Sequence, residues 1–214
     1  MTVQASAGPS PERAWWLRTL LVLQSPTAVF AALRNVDEDD LSARAEPLTA
    51  VVFLAATAAV LWTPTVGRLL DDPAIDGVVV PVLVIFAAGI YALFGYFLLG
   101  YALYLGARPF GSLGSYRRAR QVFGFALAPL AVSLVLWPVR LALYGSDSFR
   151  SGGSDSPTGD HVFGALQTFF AVWSLALLVV GTRAVHGWSW PRAAGGVALA
   201  AATFAAFALV LSVL

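Results

Sequence analysis

Every basic residue of this chain is an arginine, and the thirteen of them fall between long stretches that carry no charge. Five such stretches can be read, at about Pro47–Val66, Gly77–Gly106, Gln121–Tyr144, Val162–Gly181 and Ala193–Leu214. Only the third holds an Asp, Glu, Arg or His side chain: Arg140, near its end. A helix needs roughly 20 apolar residues to cross ~30 Å of hydrocarbon, and each stretch approaches or exceeds that length. The expected fold is therefore all-α: a polytopic membrane bundle of five transmembrane helices, preceded by one or two short interfacial amphipathic helices. Residues 1–46 are expected to form a cytoplasmic N-terminal segment and residues 47–214 the five-span transmembrane domain.

Orientation follows from the same arginines, because short loops rich in Arg stay on the cytoplasmic side. Arg13, Arg18, Arg34 and Arg44 precede the first stretch, Arg108, Arg117, Arg118 and Arg120 follow the second, and Arg183 and Arg192 separate the fourth from the fifth. The alternate segments hold Arg68, Arg140 and Arg150 beside Asp71, Asp72, Asp76, Asp147, Asp155 and Asp160. With five spans this puts the N-terminus in the cytoplasm and the C-terminus on the far side of a cell membrane. The first dozen residues have no basic n-region, so a removable signal peptide is not expected.

Within the spans, helix breaks and small residues can be placed. The second stretch is too long for an upright crossing, so tilt or extension is expected, with Pro81 bending it near its start. Its Gly89, Gly95 and Gly100 would let another helix approach closely, and Gly196 with Ala200 does the same in the fifth. Pro129 and Pro138 each remove a backbone donor from the third, which predicts kinks whose freed carbonyls are met by neighbours or Ser133. Ahead of the spans, residues 12–24 form a broad apolar face with Trp16, Leu17, Leu20, Leu21 and Leu23. A second short helix starts at Ser25-Pro26 and presents Val29, Phe30 and Leu33, and the acidic run Asp37–Asp40 ends it. Both helices can lie in the headgroup layer or pack on the bundle; the pattern fits either.

Candidate chemistry is sparse. No cofactor is implied, and the absence of cysteine excludes disulfides and thiolate ligands. His161 beside Asp155 and Asp160 reads as part of a flexible Ser/Gly-rich loop before it reads as a metal site. His186 with Trp188 and Trp190 reads as an anchor at headgroup depth. Arg117, Arg118 and Arg120 form the densest basic patch and are candidate contacts for anionic lipid or a protein partner. Arg140 is expected to snorkel to the outer headgroups, a further candidate lipid contact. Ionisable groups at membrane depth, which proton relays use, are missing from the spans, as is an H-E-x-x-H pattern, so catalysis is not expected. Net charge is +1, which gives no reason to expect nucleic acid as a partner.

Several short segments together resemble the Yip superfamily, five-span proteins named for interaction with Ypt/Rab GTPases, in a prokaryotic form. They are Leu23-Gln24-Ser25-Pro26 with Phe30, the run from Gly111 to Gln121, Phe125-Ala126-Leu127-Ala128-Pro129, and Trp173 to Gly181 followed by Arg183-Ala184-Val185-His186-Gly187-Trp188-Ser189. The resemblance spans about residues 20–192. It implies five spans, a cytoplasmic N-terminus and a role among membranes; eukaryotic relatives act in vesicle trafficking and membrane organisation. Their long cytoplasmic N-terminal domain has no counterpart in residues 1–46, and no catalytic residues carry over. Three readings follow: a non-enzymatic membrane-organising scaffold for lipids or protein partners, including a second copy of the chain; a transporter or channel for a small or neutral solute, using the breaks at Pro129 and Pro138 with Gly89 and Gly95; and an enzyme acting on lipid headgroups.

Overall fold

The computed structural model describes residues 17–34, 46–112 and 114–213, and all its regular elements are helical. Trp16 and the acidic run at 37–40, invoked above, lie outside the described residues. Residues 17–21 form α1. Then come α2 (Pro26–Leu33), α3 (Glu46–Leu61), α4 (Pro64–Asp71), α5 (Val79–Phe110), α6 (Tyr116–Tyr144), α7 (Thr158–His186) and α8 (Trp190–Val213). By length and composition α5, α6, α7 and α8 can each cross a bilayer, and the bent pair α3–α4 makes a fifth span if it counts as one.

The first span departs from the expected continuous helix over 47–66. It stops at Leu61, and α4 leaves at an angle of 59°. Pro64 is the cause: it has no N–H to donate back, and its ring suits the first turn of a new helix, which is where it sits. At 1.5 Å per residue the 16 residues of α3 reach only about 24 Å, short of the ~30 Å core.

In α5 no break falls at Pro81: the helix runs on from Val79 through Phe94. Pro81 falls in the first turn, where no intrahelical bond is lost. The irregularity comes later, as a π-helical turn at Gly95–Leu99. In α6 the breaks do fall at the prolines. The helix is interrupted at Leu127, two residues before Pro129, and tightens to a 3₁₀ turn at Ser133–Val135 just ahead of Pro138. The backbone groups loosened there find partners: the Leu130 N–H donates to Ser174 Oγ of α7 at 3.2 Å, and Ser133 Oγ donates to the Leu130 carbonyl at 2.6 Å. These bonds supply what a bilayer cannot.

Helix α6 is central. It packs on α3, α5 and α7. In its most apolar stretch 44% of residues are buried, against 22% in the other long helices. Around it, α3 packs on the first half of α5, α8 on the second half, and α7 on α2, α6 and α8. Thus α2 belongs to the bundle: Val29, Phe30 and Leu33 are all buried against it. By contrast α1 leaves Leu17, Leu20 and Leu21 exposed, the face an interfacial helix would offer to lipid.

Close helix contact occurs at Gly100, against Arg120, and at Gly196 and Ala200, against Gly106, but not at Gly89 or Gly95. A Cβ added at Gly89 would meet nothing within 4 Å, and at Gly95 only its own helix's Leu99. At Gly106 it would lie 2.6 Å from the Gly196 carbonyl oxygen and the Ala200 nitrogen of α8, which is backbone that cannot rotate away. Gly106→Ala should therefore destabilise the fold by about 1–3 kcal/mol through overpacking, with α8 forced off α5. Gly89→Ala should leave it unchanged or slightly more stable. Thermal unfolding of the two variants in the same detergent checks the contrast, and equal midpoints would refute it.

Candidate functional site at the arginine-rich end

The loop ends of α5, α6, α7 and α8 converge with α2 at one pole of the bundle. Gly111 (φ 79°) closes α5 and Gly187 (φ 67°) closes α7, each in the left-handed conformation that glycine adopts without strain. Arg192 at the start of α8 donates through Nε to the Phe110 carbonyl at 2.7 Å. Arg34, after α2, lies 3.3 Å from the position of a Cβ on Gly187. Arg108, Arg117, Arg118, Arg120, Arg183 and Arg192 thus share this pole with Arg34. At the other pole Arg140 meets Asp155 and Asp160, and the Ser151 N–H donates to Asp71 Oδ2 at 3.2 Å.

How the basic pole holds its charge is the informative part. Four of its guanidinium groups lie on aromatic faces: Arg108 on Tyr104 at 4.6 Å, Arg183 on Trp190 at 4.6 Å, Arg192 on Trp188 at 4.9 Å, and Arg120 on Phe97 and Tyr116, each at 4.8 Å. Stacking fixes each guanidinium: Arg192 gives its Nε and Nη2 donors to the Phe110 carbonyl, Arg108 gives Nη2 to the Tyr104 hydroxyl, and the Nε atoms of Arg120 and Arg183 are buried. Arg117 is exposed beside them. Arg120 also presses its stem onto Gly100, where a Cβ would stand 2.5 Å from Arg120 Cγ, so this glycine earns its place by admitting an arginine.

Between α3, α5 and the start of α6 runs a groove of about 440 Å³. It is lined by Arg117, Arg120 and Gln121 of α6, by Thr49, Val52 and Phe53 of α3, and by Gly89, Ala92, Leu93, Tyr96 and Phe97 of α5. A second cavity of about 590 Å³ lies between α3, α5, α6 and α8, past Gly95, and only Thr63 and Tyr91 put polar side chains into its wall.

His186 has a role that sequence reasoning did not assign. Its Nδ1 lies 2.9 Å from the Thr182 carbonyl oxygen and its Nε2 2.7 Å from Ser112 Oγ. A carbonyl only accepts, so Nδ1 carries the proton and Nε2 accepts from the Ser112 hydroxyl. Ser112 Oγ in turn accepts the Gly114 N–H at 3.2 Å. A serine on a histidine invites comparison with a nucleophile and its base. The adjoining cavity is about 10 Å³, room for a water and not for a substrate. The contact joins residues 74 apart in sequence and ties the α5–α6 loop to α7, and the Trp188 ring stacks on the imidazole at 4.3 Å.

Arg140 is placed otherwise than expected. It does not snorkel; only 7% of it is exposed, and Asp155 and Asp160 bind it. Those two aspartates face Arg140, while His161 is exposed; among the described residues no three His or acidic side chains form a metal-holding group. Pro129 and Pro138 border the breaks in α6, and Gly95 opens the π turn in α5. Gly89 lines the groove.

A family model described as the Yip1 domain matches residues 20–213. No curated protein and no solved structure matches the chain.

Proposed function

The chain belongs to the Yip1 domain family, and on that premise we propose that it is a non-enzymatic scaffold of the cell membrane that gathers lipids and partner proteins at its arginine-rich pole. It is a multi-pass membrane protein by the length and apolarity of its helices. The finer reading rests on one observation: arginines of the basic pole are held on aromatic rings, and two of this cluster, Arg117 and Arg120, line a groove there. An excess of Arg marks the cytoplasmic face, so this pole meets the cytoplasm and the Arg140 pole faces away.

A carrier for a small or neutral solute would use the breaks at Gly95–Leu99 and around Pro129 and Pro138. The 590 Å³ cavity that Gly95 and Leu127 help to line is walled by apolar side chains apart from Thr63 and Tyr91, which suits acyl chains better than a hydrated solute.

Affinity capture from nanodiscs, with mass spectrometry of the captured proteins, tests the scaffold. Replacing Arg117 and Arg118 together by alanine should weaken capture of specific partners by about 30-fold, at roughly 1 kcal/mol per near-surface arginine. Undiminished capture by the double variant would end this reading. Solute flux in proteoliposomes would revive the carrier.

A further inference from the structure

We propose that the 440 Å³ groove between α3, α5 and α6 is a site for one anionic phospholipid, its phosphate held by Arg117 and Arg120 and an acyl chain lying along Phe53, Gly89 and Leu93. The inference rests on the scaffold reading and names its ligand.

The groove is asymmetric in the way a lipid is. Its basic end holds two guanidinium groups, and among the described residues neither has a carboxylate partner. Arg120 is fixed from three sides, by Phe97 and Tyr116 at 4.8 Å and Tyr96 at 5.3 Å, and its Nε is buried without an acceptor. That Nε is closed to the groove, and the rings around it set the orientation of the guanidinium, which lines the groove beside Arg117. Arg117, one turn away and exposed, supplies a second charged edge at the mouth, as bidentate phosphate recognition uses.

The remaining wall, mostly apolar, suits an acyl chain better than a water-borne anion. Val52 and Phe53 lie within α3 and Gly89, Ala92 and Leu93 within α5, whose apolar stretch crosses the bilayer. A soluble phosphate would be offered the two arginines and nothing along the apolar length. A lipid fills both parts. Gly89 carries the geometric evidence: no atom of another side chain or helix stands within 4 Å of its missing Cβ, so the helix keeps this face clear without using it for packing.

Native mass spectrometry from nanodiscs of mixed phosphatidylglycerol and phosphatidylcholine tests the site. The wild-type protein should retain one phosphatidylglycerol in preference to phosphatidylcholine. Arg120→Gln and, separately, the exposed and fold-neutral Arg117→Gln should each lower that retention about fivefold. Gly89→Phe should lower it comparably while keeping both arginines, because the ring occupies the acyl path, and its unfolding midpoint should stay near wild type. Soluble glycerol phosphate should not displace the lipid. Equal retention of both lipids, full retention by Gly89→Phe, or displacement by glycerol phosphate would each overturn the assignment. Such a failure leaves the capture of protein partners untouched, so the two readings fall separately.

Discussion

Arg140→Leu is expected to destabilise the protein by about 3–5 kcal/mol, because it strands a buried carboxylate. Arg140 Nε lies 2.5 Å from Asp155 Oδ2, and Nη2 lies 2.5 Å from Asp160 Oδ1. The side chain of Asp155 is 1% exposed. The rings of Trp62, Trp137 and Phe163 stand 5.3–5.9 Å from the guanidinium carbon and keep water from the pair. Desolvating these charges is costly, and their mutual attraction offsets that cost only while both are present. Removing both with Arg140→Leu and Asp155→Leu should therefore recover much of the loss. Asp160→Asn should cost under about 1 kcal/mol, since its side chain is 47% exposed and the pair is partly screened. Thermal unfolding in detergent of the three variants decides the matter. If Arg140→Leu melts with the wild type, the pair is not holding the α6–α7 loop.

The contrast between Arg140 and the basic pole shows what can be read from the chain. Uncharged stretches predict helices because a bilayer leaves the backbone no other way to satisfy its polar groups, and α5, α6, α7 and α8 follow. The gathering of Arg108, Arg117, Arg118, Arg120, Arg183 and Arg192 at one pole was likewise legible, since alternating loops of antiparallel spans must meet. Arg140 was misread because its partners lie 15 and 20 residues further on, across a loop whose Ser/Gly composition signals flexibility. Pro64 was read as the tail of an apolar stretch, because counting apolar residues ignores the missing N–H that bends the chain there. Gly89 and Gly95, which unlike Gly100 and Gly196 meet no neighbouring helix, were misread for another reason. In a segment apolar all round, no stripe records which face meets a neighbour. Nothing therefore separates Gly89, which borders the groove, from Gly106, which touches α8. The groove itself takes three helices to build; its arginines and Gly89 were visible beforehand, but not that they share a wall.

Phe30→Ala should cost about 3–5 kcal/mol in the docking of α2, and the loss should be local. Phe30 is 0% exposed; its ring meets Phe125 of α6 edge-on at 6.4 Å and rests on Gly181 of α7, where an added Cβ would lie 2.9 Å from the ring. One phenyl group thus joins α2 to two spans, and its removal leaves a cavity bounded by helices that other contacts keep in place. Hydrogen exchange should rise across residues 26–33 while the middle of α7 stays protected. Gly181→Ala supplies the cross-check. Alone it should destabilise, since the methyl collides with the ring and with Val122 Cγ1, each 2.9 Å away; in the Phe30→Ala background it should cost less, because only the Val122 contact remains and part of the cavity is filled. Additive losses in the double variant, or unchanged exchange in α2, would mean that Phe30 does not anchor the helix. The arrangement of Arg34 against Gly187 at the basic pole would then need another support.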